Sequence, residues 1–142
     1  MKWALLCGAS GDLGHQIAKD LAADGWSLYL HYYRNKTRVD DLVVELAKNY
    51  PKQDFLTIQA DLTAPDTMLQ VASQIFGSLD ALIFAQGTTE YGLFSQQEPQ
   101  AFDQLLAMQL QSPLRLIALL EAKLARSQAA RIVFIGSVYG GA

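Results

Sequence analysis

The chain has 142 residues, of which 51% are hydrophobic and 18% charged, and a formal net charge of -3. That length suits one domain, residues 1–142, able to bury a sizeable core, and the composition argues against disorder and against nucleic acid as a partner. A single cysteine (Cys7), the lack of a Cys/His cluster and the lack of any apolar run near the roughly 20 residues of a membrane span leave no disulfide, no metal site and no membrane segment, so a cytoplasmic location is expected.

The first apolar run, WALLC (Trp3 to Cys7), has strand length and leads into CGASGDLGHQIA, which carries Gly8, Gly11 and Gly14 at three-residue intervals before a helical pattern at Ile17, Leu21 and Ala22. Glycines between a strand and a helix let the backbone turn tightly and approach a pyrophosphate, whose charge the helix N-terminus then holds. A carboxylate at Asp12 would repel that group, so Asp12 is read as a helix cap. The second strand, WSLYLHY (Trp26 to Tyr32), ends in HYYRNKTR, with no carboxylate before Asp40. An acidic residue there suits the ribose 2'-hydroxyl of NAD and an arginine suits a 2'-phosphate, so Arg34, with Asn35, Lys36 or Arg38 in support, favours NADP(H) over NAD(H). His31, alone at a strand end, is read as structural.

Val39, Leu42, Val43, Leu46 and Ala47 repeat at helical spacing up to Pro51, and DFLTIQA (Asp54 to Ala60) is a third strand. Asp61-Leu62-Thr63 followed by Pro65 reads as the cap and first turn of a helix through Met68, Leu69, Ala72, Ile75 and Phe76, stopped by Gly77. LDALIFA (Leu79 to Ala85) is the fourth strand, a long helix with a kink at Pro113 runs from about Pro99 to Ser127, and RIVFIG (Arg131 to Gly136) is the fifth strand, followed by Ser137. Apolar strands alternating with amphipathic helices require right-handed crossovers and a parallel, doubly wound sheet.

The ordered set of the glycine turn, ADLT after the third strand, LIFAQG after the fourth, the long helix with Gln109 and the final RIVFIGSV resembles the short-chain dehydrogenase/reductases. The resemblance implies a Rossmann-like α/β sheet of about five strands in the order 3-2-1-4-5, lacking the family's last strands. It implies a cofactor site made of Gly8, Ser10, Gly11, Asp12, Leu13, Gly14, Tyr32, Arg34, Asn35, Asp61, Leu62, Ala85, Gln86 and Gly87. Asp61 would face the adenine, and Ala85 to Gly87 would pass beside the adenine ribose. Ser137 stands at the place of the catalytic serine, and Gln109 where many members carry a catalytic asparagine. Two departures stand out: Asp12 replaces the main branch's usual second glycine, and Phe84-Ala85-Gln86-Gly87 replaces its Asn-Asn-Ala-Gly. The glycine spacing also suits the extended, nucleotide-sugar-modifying branch, whereas ADLT and the serine strand favour the main one.

The family's Tyr-x-x-x-Lys is expected beyond Ser137, where only five residues remain, so the chain is expected to be truncated before its proton donor and inactive by itself. Tyr32 to Lys36 matches the pattern but follows the second strand, at the adenosine end, and is not read as that pair. The implied activity is NADPH-dependent reduction of a ketone. The nearest likeness is to 3-oxoacyl-acyl-carrier-protein reductase-like proteins, and within them to the elongation factor P 5-aminopentanone reductase subgroup, similar at LYLHY, IQADLT and YGLF. The substrate would be a small ketone or a protein-borne one, with elongation factor P as a candidate partner, and Glu90, Tyr91 and Phe94 as candidates for its mouth. A dinucleotide-binding or scaffold protein without chemistry and an epimerase-like enzyme of the extended branch are the alternatives. An apolar stripe of Leu105, Leu106, Leu116, Leu119, Leu120 and Leu124 on the 99–127 helix is expected to lack cover and to drive homo-oligomer formation.

Overall fold

The computed structural model describes residues 1–86 and 99–135. Strands β1 (Trp3–Cys7), β2 (Ser27–Tyr32), β3 (Phe55–Gln59), β4 (Ala81–Phe84) and β5 (Arg131–Phe134) form one sheet, parallel as the alternation of strand and helix patterns requires, in the order β3-β2-β1-β4-β5 that the family resemblance implies. Helices α1 (Asp12–Ala23) and α2 (Lys36–Asn49) follow the first two strands. A 3-10 turn (Pro65–Thr67) leads into α3 (Met68–Ser73), and α4 (Pro99–Leu106) continues through a π-helical turn (Ala107–Gln111) into α5 (Ser112–Ala125).

Side chains of a strand alternate between its faces, and the sheet is covered on both. Leu5, Tyr29, Ile58 and Leu82 pack against α3 and α5 through Met68, Val71, Leu116 and Leu120. On the opposite face Leu6, Leu28, Leu30 and Ile83 pack against α1 and α2 through Ala18, Ala22, Val39, Leu42 and Leu46. Every residue of β2 and β4 is therefore buried, which explains their near-continuous apolar sequence. At the sheet's two ends, β3 buries only Phe55 and Ile58, and β5 exposes all of Arg131 to Phe134.

Two expectations need correction. Asp61 does not cap a helix: its Oδ1 accepts from the Thr63 N–H (2.9 Å) and hydroxyl (2.7 Å) in a local turn, and α3 starts only at Met68, leaving Leu69 and Phe76 exposed. The expected kink at Pro113 coincides with the π turn, which ends two residues before it: the helix runs on without a break, since Gln111 keeps helical φ and ψ of -67° and -49°, and Pro113 removes one N–H from the ladder there. The leucine stripe is largely covered: Leu105, Leu116, Leu120 and Leu124 are buried and Leu119 packs against the core. Of that stripe Leu106 is outward as expected, and among the described residues it lines up with Leu110 and Leu114, four apart on one face.

This assignment of faces on α5 is open to a stability test. Leu116→Ala removes a fully buried side chain and is expected to cost about 2–5 kcal/mol in denaturant unfolding, whereas Leu114→Ala, at 53% exposure, should stay within about 0.5 kcal/mol of the parent.

Candidate functional site

The order of strands reverses between β1 and β4, so their carboxyl ends open a crevice between the segments that leave them. Gly8 leaves β1 with φ of 88°, and a Cβ there would lie 2.8 Å from the Gln86 nitrogen after β4; only glycine allows the two segments to come this close. Gly14 meets the turn from the other side, since a Cβ on it would lie 2.0 Å from the Gly8 carbonyl oxygen. Gly11 differs: the only atom near its hypothetical Cβ is the same oxygen at 3.6 Å, so its open side is not filled by the fold.

His31 holds the turn in place. Its Nδ1 accepts from the Gly8 N–H (3.0 Å), its carbonyl accepts from the Ala9 N–H (2.9 Å), and its Nε2 stands 2.9 Å from the Ala60 carbonyl. Since Nδ1 is an acceptor, the ring proton is on Nε2 and the imidazole is neutral. Burial holds its pKa below the ordinary value of 6.5, against the opposing pull of the Ala60 hydrogen bond. The neighbouring Cys7 thiol is pushed up to about 12 by burial and stays protonated, which removes it as a nucleophile.

A cavity of about 410 Å³ occupies the crevice, within the range of small-ligand sites. Of the residues expected from sequence, Gly8, Ser10, Gly11, Asp12, Leu13, Asp61, Leu62, Ala85 and Gln86 line it. Gly14 lies outside this lining, packed against Gly8. Gln109 joins the site through Gln86: its Nε2 donates to the Gln86 carbonyl (3.1 Å) while the Gln86 amide donates to the Met108 carbonyl (3.3 Å), tying the π turn to the end of β4. Helical segments of this kind often mark functional sites. Ser137, Gly87, Glu90, Tyr91 and Phe94 lie outside the described residues.

Two site assignments are corrected by the structure. Tyr32 does not reach the cavity: at 8% exposure it belongs to the core shared with α1 and α2, and Tyr33 lines the cavity instead. The reason is strand alternation, because the odd-numbered Tyr29 and His31 share the face on which the crevice opens, and this period was legible in LYLHYY. Asp12 is no cap either. Gly11 is the N-cap of α1, without a side-chain hydrogen bond, and Asp12 pairs with Arg38 at 2.7 Å. The first-turn N–H groups of α1 thus carry no side-chain cap beside the cavity, while Asn35 caps α2 through the Arg38 N–H. Arg34 lies over the Tyr33 ring, 4.8 Å from its centroid. Thr63, the end of the ADLT run, and Met108, which no motif announced, also line the cavity.

Residues 2–142 match the short chain dehydrogenase family. The chain belongs to this family. An uncharacterized oxidoreductase of Bacillus subtilis is 30% identical over 98% of the chain and 57% of its own length, and a 3-oxoacyl-acyl-carrier-protein reductase of Staphylococcus aureus is 29% identical over the same shares. The chain thus spans little more than half the length of these curated relatives. Among solved structures, it is similar to a bulky-bulky ketone specific alcohol dehydrogenase from Comamonas testosteroni, with 34% identity and a TM-score of 0.85 over 100% of the chain and 57% of the other. A short-chain dehydrogenase from Sphingobium yanoikuyae in complex with NADPH gives 29% identity and a TM-score of 0.85 over 100% and 56%.

Short-chain dehydrogenases use nicotinamide dinucleotides, and this chain's residues fit such a group: the uncapped α1 N-terminus and the open side of Gly11 suit a pyrophosphate, and Arg34 suits an added phosphate. Among the described residues no cluster of three or more His, Cys, Asp or Glu side chains is arranged to hold a metal, and no helix is long and apolar enough to cross a membrane.

The glycines should separate in their effects. Gly14→Ala is expected to lower the melting temperature sharply or prevent folding, because backbone must move, whereas Gly11→Ala should fold and melt close to the parent. His31 gives a pH test. With its folded pKa below the unfolded value, its contribution is complete above about pH 6.5 and is lost as pH falls below it. The stability advantage of the parent over His31→Gln should therefore shrink between pH 7.5 and 5.5, and a constant difference would contradict the neutral-imidazole anchor.

Proposed function

We propose that this chain is the cofactor-binding part of an NADPH-dependent reductase that converts a ketone to an alcohol. The observation that carries the reading is the cavity at the β1–β4 crevice, with the uncapped α1 N-terminus on its wall and Arg34 over the ring of Tyr33, which lines it, without a carboxylate within ion-pair distance of Arg34 among the described residues. Structural neighbours in complex with NADPH or NADP support the choice of cofactor, and the ketone-specific dehydrogenase of Comamonas supports the choice of substrate class. NADPH, when bound, supplies the hydride.

The protein's own groups bind and orient. The first-turn N–H groups of α1 hold the pyrophosphate, Arg34 and its neighbours hold the 2'-phosphate, and Asp61 faces the adenine. Ser137 donates a hydrogen bond to the carbonyl oxygen as charge develops there, and the proton comes from the family's Tyr-x-x-x-Lys pair, a role that Tyr32 to Lys36, at the end of β2, does not fill. Gln109, tied to Gln86, orders the π turn beside the site. The ketone is a small molecule or is borne by a protein such as elongation factor P, and the protein works in the cytoplasm as a homo-oligomer built on residues 99–127. The outward Leu106, Leu110 and Leu114 support that surface. A dinucleotide-binding protein without chemistry is the second reading, favoured by Gln109, whose amide nitrogen is engaged by the Gln86 carbonyl.

Equilibrium titration with NADPH and NADH, followed by tryptophan fluorescence, tests the cofactor reading. NADPH should bind more tightly, and Arg34→Ala should weaken it about tenfold while leaving NADH nearly unchanged, the size expected for one charge-assisted hydrogen bond. Equal losses for both cofactors would overturn the 2'-phosphate assignment. Ketone-dependent oxidation of NADPH by the full-length protein, abolished in Ser137→Ala, separates the reductase from the non-catalytic reading.

A further inference from the structure

Arg34, Lys36 and Arg38 fall within five residues at the start of α2, yet they are not equivalent. Lys36 is paired with Asp40 one turn further along its own helix. Arg34 has the Tyr33 ring and hydroxyl for partners. Arg38 reaches across to α1, where its Nη2 donates to Asp12 Oδ1 at 2.7 Å. Asp12 lines the cavity and Arg38 does not, so this guanidinium meets the rim of the cavity through a carboxylate that is part of the wall. The pair is also lopsided: the Asp12 side chain is 95% exposed, whereas that of Arg38 is 37% exposed.

A dianionic phosphate arriving beside Tyr33 and Arg34 gains Arg38 only by displacing Asp12. A cofactor with a 2'-hydroxyl in that place carries no charge there and leaves the pair intact. We propose that Asp12 sets the cofactor selectivity of this chain, by holding Arg38 as an internal ion pair that a 2'-phosphate has to open. The inference rests on the reading of the cavity as a nicotinamide dinucleotide site. It makes the discrimination in favour of NADPH weaker than the count of nearby cations suggests.

Dissociation constants for NADPH and NADH test it in the parent, Asp12→Asn, Arg38→Gln and the double variant, at low salt and near 0.5 M salt. Asp12→Asn is expected to raise the ratio of NADPH to NADH affinity about threefold to tenfold at low salt, less at high salt, because exposed ion pairs are weak and screened. In the Arg38→Gln background the same change should move the ratio much less. Asp12→Glu, which keeps the charge, should retain the parent ratio. Equal tightening of both cofactors would place the effect of Asp12 on the shared pyrophosphate and overturn the inference, as would an unchanged ratio or a gain that persists without Arg38. A parent that binds NADPH while the ratio ignores Asp12 defeats this inference alone, whereas a parent that binds neither cofactor defeats the reading on which it rests.

Discussion

The Gly8 carbonyl oxygen has room to sit only because Gly14 lacks a Cβ, which would stand 2.0 Å from it. That contact sets the start of α1 against the end of β1, and everything at the crevice is placed from there. On the other side of the same residue, the Gly8 backbone lies against Ala85 and Gln86, which brings the exits of β1 and β4 together. The turn then has little freedom left, since the Gly8 and Ala9 N–H groups are both bound to His31 and the imidazole is bound in turn to Ala60. A buried neutral histidine thus links the ends of β1, β2 and β3, and its desolvation is offset by two hydrogen bonds that only the neutral ring can make together.

Charge is distributed around this frame with a clear division. The wall of the crevice is largely backbone and small or uncharged side chains, with Asp12 and Asp61 as its carboxylates among the described residues. Asp61 is bound into its own turn by the Thr63 N–H and hydroxyl. Asp12 is bound to Arg38 and lies in the first turn of α1, where the helix dipole favours a negative charge. The cations stand outside the wall, at the start of α2, in a chain whose net charge is -3. An anionic ligand is therefore attracted locally by one segment rather than by the protein as a whole.

The π turn couples this site to the helical layer. Met108 lines the cavity and Gln109 reaches the Gln86 carbonyl, so both leave the helix on the side of β4. On the same stretch Ala107 is buried, and one turn later the Ser112 hydroxyl donates to the Leu62 carbonyl at 2.6 Å, which anchors another part of the cavity wall. The shift in side-chain direction that the extra residue introduces brings these contacts together along one face while Leu106, Leu110 and Leu114 point outward.

Much of this was legible in the residues alone. Apolar runs of strand length separated by helical periods are local properties, and together with the handedness of crossovers they determined the parallel sheet, while its order followed from the resemblance to the short-chain dehydrogenase/reductases. The glycine turn was equally legible, because a backbone that must approach another backbone excludes every side chain. Tertiary structure alone decided which leucines of α5 are covered and that Asp12 pairs with Arg38 instead of capping its helix. Those outcomes depend on the direction of each side chain and on partners 26 residues away, as for Arg38 and Asp12. Periodicity names the elements, but the packing of one element on another selects the atoms that meet.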